Sequence, residues 1–226
     1  MLFGAGSLAL LDGGGIAVVG SRDVDRAGAE FAGQVGNRAS RSGKTVISGA
    51  ARGVDRIAME AALAADRSAV GILAHGMATW LREPGLRHDI DEGRLTFVSP
   101  NRPGTAYEAR HLMARNKLIY ALSDFAVVAA SDAGKGGTWS GALENLKHGW
   151  VPLFVRSAPD MPTGNRELIE RGAIPLTHDD LDGADLGQVL AELQAAHTPT
   201  PKPGAKFRPN PDQRSMFPND EPPAGG

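Results

Sequence analysis

Short apolar runs alternate along the chain with amphipathic segments of helical period. Residues 16–20 form a β-branched apolar run, and Ala27, Phe31 and Val35 then recur on one helix face up to about Gly43. Further strands are predicted at 45–48, 69–74, 95–99, 125–130 and 151–155, and further helices at 54–65, 107–122, 138–148, 165–171 and 186–196. This alternation predicts an α/β fold: a doubly wound, mainly parallel sheet with helices on both faces.

Three of the predicted strands end in a glycine-bearing loop that leads into a helix, at 19–22, 48–55 and 135–138. The first turn of a helix has unpaired backbone N–H groups and a partial positive charge, and glycine has no Cβ to hold an anion away. Because parallel strands end at the same edge of a sheet, the three loops are expected to converge there. The sequence therefore predicts a phosphate-binding site at that edge.

The candidate contacts to phosphate or DNA come from these loops and from the basic segment around position 115. They are Gly20, Ser21, Arg22, Ser48, Gly49, Arg52, Gly53, Asp55, Arg115, Asn116, Lys117, Gly136, Gly137 and Thr138. Each type also has a structural explanation: turn glycines, capping hydroxyls, surface ion pairs, and for Asp55 a cap or a pair with Arg52 or Arg56. Trp139 is the leading candidate for stacking on a base and Trp80 the second, although both residues also suit a core.

Composition narrows the class of protein. The chain of 226 residues contains no cysteine, which excludes disulfides and cysteine-ligated metals, and its net charge of −2 excludes a uniformly basic surface. No apolar run approaches the roughly 20 residues that a bilayer requires, so a soluble, cytoplasmic protein is expected. His75 has no second ligand at metal-binding spacing, and no Ser-His-Asp order is present, so neither a metal, a cofactor nor a covalent nucleophile is predicted.

The composition changes at about residue 197. Eight of the fifteen prolines lie in the last thirty residues, where aliphatic side chains are few. Such a segment buries too little apolar surface to offset its ordering entropy, so a folded domain is predicted at 1–196 and a disordered tail at 197–226. Within the tail, Gln213, Met216 and Phe217 resemble the short peptide by which bacterial replication and repair proteins bind the sliding clamp, although Arg214 stands where that peptide usually has leucine.

Residues 2–6, 17–22 and 46–55 resemble, in order and spacing, the DNA-processing protein A family, also called DprA or Smf. The likeness continues through 115–119, 122–124 and 136–138, and it is strongest over 1–156. It implies an extended Rossmann core that binds single-stranded DNA, forms a homodimer and helps to load a strand-exchange recombinase during natural transformation. Ser99-Pro100 departs from the glutamate-proline pair that the family usually has after this strand.

A wider resemblance supports an alternative function. Residues 113–117, Asp124 and residues 136–138 are similar in layout to the lonely-guy phosphoribohydrolases, which cleave nucleoside 5′-monophosphates between base and ribose. Where those enzymes have an acidic residue after the glycine-threonine pair, this chain has Gly141, with Glu144 one helical turn further on. The alternative is therefore a nucleotide sensor or a phosphoribohydrolase of this type, and Gly141 speaks against hydrolysis.

Overall fold

The computed structural model describes residues 1–78, 80–106, 109–182 and 185–197. Its strands are β1 (Phe3–Ala5), β2 (Ile16–Gly20), β3 (Val46–Ser48), β4 (Ala69–Ile72), β5 (Leu95–Ser99), β6 (Phe125–Ala130), β7 (Leu153–Arg156) and β8 (Ile174–Leu176). Its α-helices are α1 (Arg26–Arg41), α2 (Val54–Ala64), α3 (Pro84–Asp91), α4 (Ala109–Ala121), α5 (Gly136–His148), α6 (Thr163–Glu170) and α7 (Leu186–Ala196). Short 3-10 turns lie at Leu8–Leu11, Trp80–Arg82 and Asp179–Asp182.

One sheet of eight strands runs through the described part of the chain, in the order β1-β5-β4-β3-β2-β6-β7-β8. All neighbouring pairs are parallel except β1 with β5, which is antiparallel. From β2 the chain moves outward through β3, β4 and β5, and then returns to place β6 on the other side of β2. The strand order therefore reverses between β2 and β6, and such a switch point is where doubly wound sheets open a ligand crevice.

Alternate residues of the central strands pack on opposite faces of the sheet. Ile16 and Val18 of β2 belong to a core cluster with α1, α2 and α7, whereas Ala17 and Val19 pack with α4, α5 and α6. The predicted α/β fold with helices on both faces is confirmed. Within the described ranges, no helix is long and apolar enough to cross a bilayer.

Local signals explain where the helices begin and end. Asp25 caps α1, its carboxylate accepting a hydrogen bond from the Gly28 amide at 2.8 Å, and Gly43 in the left-handed region (φ +69°) follows the end of that helix. Gly149 (φ +64°) ends α5 in the same conformation. The sequence pattern missed β1, α3 and β8. The predicted tail, from residue 198 onward, lies outside the described residues, as do Gln213, Met216 and Phe217.

Candidate nucleic-acid interface

Two neighbouring crevices open at the carboxyl ends of the central strands. The first crevice, about 350 Å³, lies at the switch point between β2 and β6. Nine of the predicted contact residues line it: Gly20, Ser21, Arg22, Asp55, Arg115, Asn116, Gly136, Gly137 and Thr138. The second crevice, about 380 Å³, is lined by Gly49 and Arg52, and it shares Arg22 and Arg115 with the first. The structure thus brings the three glycine loops to one edge of the sheet.

The loop before α5 presents its backbone openly to the first crevice. The helix begins at Gly136, and the side chain of the preceding Lys135 makes no capping hydrogen bond with any described residue. Gly136 has φ +86°, and no described neighbour lies within 4 Å of the position that its Cβ would occupy. Asn116 on α4 donates to the Gly137 carbonyl at 3.0 Å and so holds the start of α5 against α4. The N–H groups of this first turn are placed to receive an anion.

The loops after β2 and β3 are occupied by a side chain of the protein itself. Asp55, on the first turn of α2, is buried, and its carboxylate lies 3.7 Å from the Arg115 guanidinium. Burial raises the pKa of Asp55 above its ordinary value, whereas Arg115 and hydrogen bonds from the backbone of Ala51, Gly20 and Gly49 oppose that rise. Asp55 therefore faces the amides that the sequence assigns to phosphate. Its ion-pair partner is Arg115, instead of Arg52 or Arg56, which the sequence offered as alternatives to a ligand contact.

Two glycines allow this close packing. A Cβ at Gly49 would overlap the Arg115 guanidinium, so only glycine leaves room for that side chain beside β3. Gly53 has φ +82° and ψ −136°, and a Cβ there would overlap the Ser21 and Arg22 carbonyl oxygens. The second loop can approach the first only because residue 53 is glycine.

Four predicted residues contact other parts of the protein, as their structural alternatives allowed. Ser48 is fully buried, and its hydroxyl donates to the Val18 carbonyl at 2.6 Å, so it ties β3 to β2 instead of facing a ligand. Lys117 lies 2.9 Å from the carboxylate of Glu144. Arg52 lies 2.8 Å from Asp23 on the surface. Trp139 is only 7% exposed, and the Arg171 guanidinium lies 5.1 Å from its ring centroid, so burial corrects its predicted role as a stacking platform.

Lys135 and Tyr120 line the first crevice but were not among the predicted site residues, whereas the second crevice contains Trp80, the second stacking candidate. Lys135 lines the first crevice beside Gly136, and it directly precedes the glycine pair, which is the signal that was overlooked. Tyr120, which lines the same crevice, had no distinguishing signal, and burial raises its pKa. His75 and Trp80 line the second crevice.

A buried asparagine supports the third loop from below. The Asn165 side chain accepts from the Ser131 amide at 2.8 Å and donates to the carbonyls of Ala129 (3.1 Å) and Arg156 (3.0 Å). It therefore fixes the end of β6 and the start of the loop that leads to α5. No pattern in the sequence distinguishes Asn165 from an ordinary helix residue.

His75 makes the stability of the folded chain depend on pH. Its pKa lies below the ordinary 6.5 because of burial and then of the positive charge of Arg115. Above pH 6.5 the imidazole is neutral in both folded and unfolded chains. As the pH falls below 6.5, His75 binds a proton in the unfolded chain before it does so in the folded chain. The free energy of unfolding therefore decreases as the pH falls from 6.5 to the lower pKa of the folded state.

Between pH 7.5 and 5, urea titrations should show the native chain losing more stability than His75→Gln. Parallel profiles for the two proteins would contradict this assignment.

The chain is similar to several DNA processing proteins, one by sequence and two by fold. The DNA processing protein DprA of Bacillus subtilis is 27% identical over 177 residues, which are 76% of this chain and 59% of that protein. The crystal structure of DNA processing protein A from Streptococcus pneumoniae superposes with a TM-score of 0.70 at 25% identity, covering 84% of this chain and 65% of that one. DNA processing protein A from Helicobacter pylori, studied for its single-stranded DNA binding mode, has the same fold: a TM-score of 0.68 at 24% identity, covering 87% of this chain and 88% of that one.

This chain is shorter than the curated relatives that it matches. It spans 59% of the Bacillus subtilis protein and 48% of two relatives from Mycobacterium tuberculosis. The sequence model of the DNA recombination-mediator protein A family matches residues 1–182. This range contains all three glycine loops, the helix that carries Arg115 and every residue that lines the first crevice. The chain therefore belongs to the DNA recombination-mediator protein A family.

Proposed function

We propose that this protein binds single-stranded DNA, with a backbone phosphate held in the first crevice at the start of α5. One observation carries the proposal: among the described residues, the start of α5 has no side-chain cap and borders open space at Gly136, whereas in the other two loops Asp55 accepts hydrogen bonds from the backbone of Gly20, Gly49 and Ala51. The relative from Helicobacter pylori has a single-stranded DNA binding mode, which supports the same ligand class here.

The cations beside this loop suit a phosphate. Arg22 and Lys135 line the first crevice and are exposed, and within the described chain Arg22 forms no ion pair. Lys135 lies 3.5 Å from Asp132, an exposed pair that contributes little to stability and is readily exchanged for a stronger anion. A guanidinium presents a rigid fork to phosphate oxygens, and the α5 amides add neutral donors. Phosphate contacts of this kind depend little on base sequence.

We expect the double variant Arg22→Ala/Lys135→Ala to bind an oligothymidylate strand roughly 10- to 100-fold more weakly, because charge-assisted contacts contribute about 1.5–3 kcal/mol each and these are partly exposed. The slope of log K against log salt should decrease in magnitude by about 1.4, since each neutralised phosphate of a single strand contributes about 0.7. Fluorescence anisotropy across a salt series measures both quantities.

The matched control is Arg26→Ala/Lys147→Ala, which removes the same two charge types. Among the residues described as lining the crevices, neither Arg26 nor Lys147 is present. The control should keep the affinity and the salt slope of the native chain. If the Arg22/Lys135 variant behaved like this control, the proposed phosphate site would be wrong.

The cellular part of the proposal rests on family membership. A homodimer would place two such crevices on one strand, and the family description as a recombination mediator supports delivery of that strand to a recombinase in the cytoplasm. Docking on the sliding clamp through Gln213, Met216 and Phe217 remains a prediction from the sequence.

A single nucleotide is the second candidate ligand. The observation that favours it is the size of the first crevice, about 350 Å³, which lies within the range of small-ligand pockets. Hydrolysis of that nucleotide is disfavoured, because a Cβ at position 141 would lie 3.1 Å from Asn116 Nδ2, which leaves little room for an acidic side chain, and Glu144 is paired with Lys117. Competition by thymidine 5′-monophosphate against the oligothymidylate strand separates the candidates: a monophosphate that binds more tightly than the strand would favour the sensor.

A further inference from the structure

The second crevice differs chemically from the first. Arg22, Ala51, Leu112 and Arg115 line both crevices and so form the wall between them. Beyond this wall the first crevice is lined by Gly136, Gly137 and Thr138 at the start of α5, whereas the second is lined by Trp80 and His75. A strand that crosses the wall would pass from donors that suit phosphate to rings that suit a base.

The indole of Trp80 is held in place from two directions. Its ring packs against Phe97 of β5, with the centroids 5.4 Å apart, and its Nε1–H donates to His75 Nε2 at 3.3 Å. Trp80 is nevertheless only half-buried and lines the crevice. A ring that is already oriented loses little conformational entropy when a second ring stacks on it.

His75 makes the floor of this crevice uncharged. An indole N–H is a donor only, so His75 Nε2 must accept, which places the imidazole proton on Nδ1 in a neutral ring. Burial and Arg115 lower the pKa of His75 and favour the same state. A neutral imidazole offers no positive charge to a phosphate, in contrast to the cations beside α5.

The arginines at the rim are largely balanced by acids. Arg52 lies 2.8 Å from Asp23, and Arg56 lies 2.9 Å from Glu60 and 3.5 Å from Glu83. Because such exposed pairs can exchange and Arg22 is shared with the first crevice, the ring of Trp80 beside His75 is what distinguishes this crevice and favours an uncharged planar group. The apolar side chain of Leu112 on the shared wall supports the same choice.

We propose that the second crevice receives a nucleobase, which stacks on Trp80 while a phosphate of the same strand lies in the first crevice. This inference rests on the proposed function and adds a base site to it. Stacking on an aromatic ring tolerates every base, so the site would strengthen binding without imposing a sequence.

The test compares two ligands that share phosphates and differ in bases: a 12-nucleotide oligothymidylate and a 12-unit abasic deoxyribose-phosphate strand. Trp80→Leu removes the ring but keeps apolar bulk against Phe97. It should weaken oligothymidylate binding about 5- to 150-fold and leave abasic-strand binding within about twofold. Trp150→Leu is the matched control, because among the described residues around the crevices Trp150 is absent, and it should change neither affinity.

Fluorescence gives a second readout that needs no loss of Trp80. The chain has three tryptophans, so Trp139→Phe/Trp150→Phe leaves Trp80 as the single indole fluorophore. Oligothymidylate should quench this emission, and the abasic strand should not. Equal quenching by both strands, or a Trp80→Leu variant that binds both as the native chain does, would overturn the base site and leave the phosphate site standing. A native chain that binds neither strand would overturn the proposed function, and the base site with it.

Discussion

Gly53→Ala is expected to lower the free energy of unfolding by roughly 2–6 kcal/mol. Two costs add together: about 1–3 kcal/mol for placing a Cβ on a backbone with φ +82° and ψ −136°, and about 1–3 kcal/mol for displacing neighbouring atoms in a packed region. The neighbours are the carbonyl oxygens of Ser21 and Arg22, which belong to the backbone and cannot rotate away. Urea unfolding followed by circular dichroism measures the loss.

Gly13→Ala is the matched control for this substitution. Gly13 lies outside the left-handed region, and no described atom stands within 4 Å of the position of its Cβ. Its alanine variant should unfold within about 0.5 kcal/mol of the native chain, as expected for a surface site. If Gly53→Ala were as stable as Gly13→Ala, the close approach of the first two loops would not require glycine.

Removing either member of the Asp55–Arg115 pair is expected to cost about 3–5 kcal/mol, because truncation of one partner leaves a buried charge facing an apolar side chain. The double variant Asp55→Ala/Arg115→Ala should lose less than the sum of the single variants, with a coupling of about 0.5–3 kcal/mol. Urea unfolding of the four proteins in the cycle provides the measurement. Additive losses would show that the two side chains act independently.

The same pair predicts a direction for the pH dependence. Arg115 opposes the rise that burial causes in the pKa of Asp55, so Arg115→Ala should raise this pKa further. A folded-state pKa above the unfolded value, here 3.8, contributes stability that is present below pH 3.8 and is lost as the pH rises through the folded pKa. The destabilisation of Arg115→Ala should therefore be larger at pH 8 than at pH 5. A loss that is equal at both values would contradict this electrostatic assignment.

The central elements could be predicted because their signals are local. The apolar runs at 16–20, 95–99 and 125–130 coincide with β2, β5 and β6, and the predicted helix at 186–196 coincides with α7. Strands buried on both faces are continuous apolar runs, and helices that cover a sheet repeat their apolar residues every three or four positions. Neither feature depends on the rest of the molecule.

The missed elements carry weak or contrary signals. β8 contains Pro175, which argues against a strand, yet β8 lies at the edge of the sheet, where proline is tolerated. β1 has only three residues and forms through antiparallel pairing with β5. α3 begins at Pro84, has only eight residues and, among its described side chains, contains no fully buried residue, so few apolar positions mark it in the sequence. Tertiary contacts and edge position decide such segments more than propensity does.

The sequence by itself determined the alternation of strands and helices and the presence of three glycine loops at strand ends, because propensity and burial period act within a few residues. Only the tertiary structure decided how those loops are used. Asp55 and Arg115 meet through the order of strands in the sheet, Trp139 is buried with the Arg171 guanidinium over its ring, and Trp80 remains at the second crevice. Contacts between such distant positions depend on which elements pack together, and burial then determines whether a charge or a ring faces a ligand or the protein's own core.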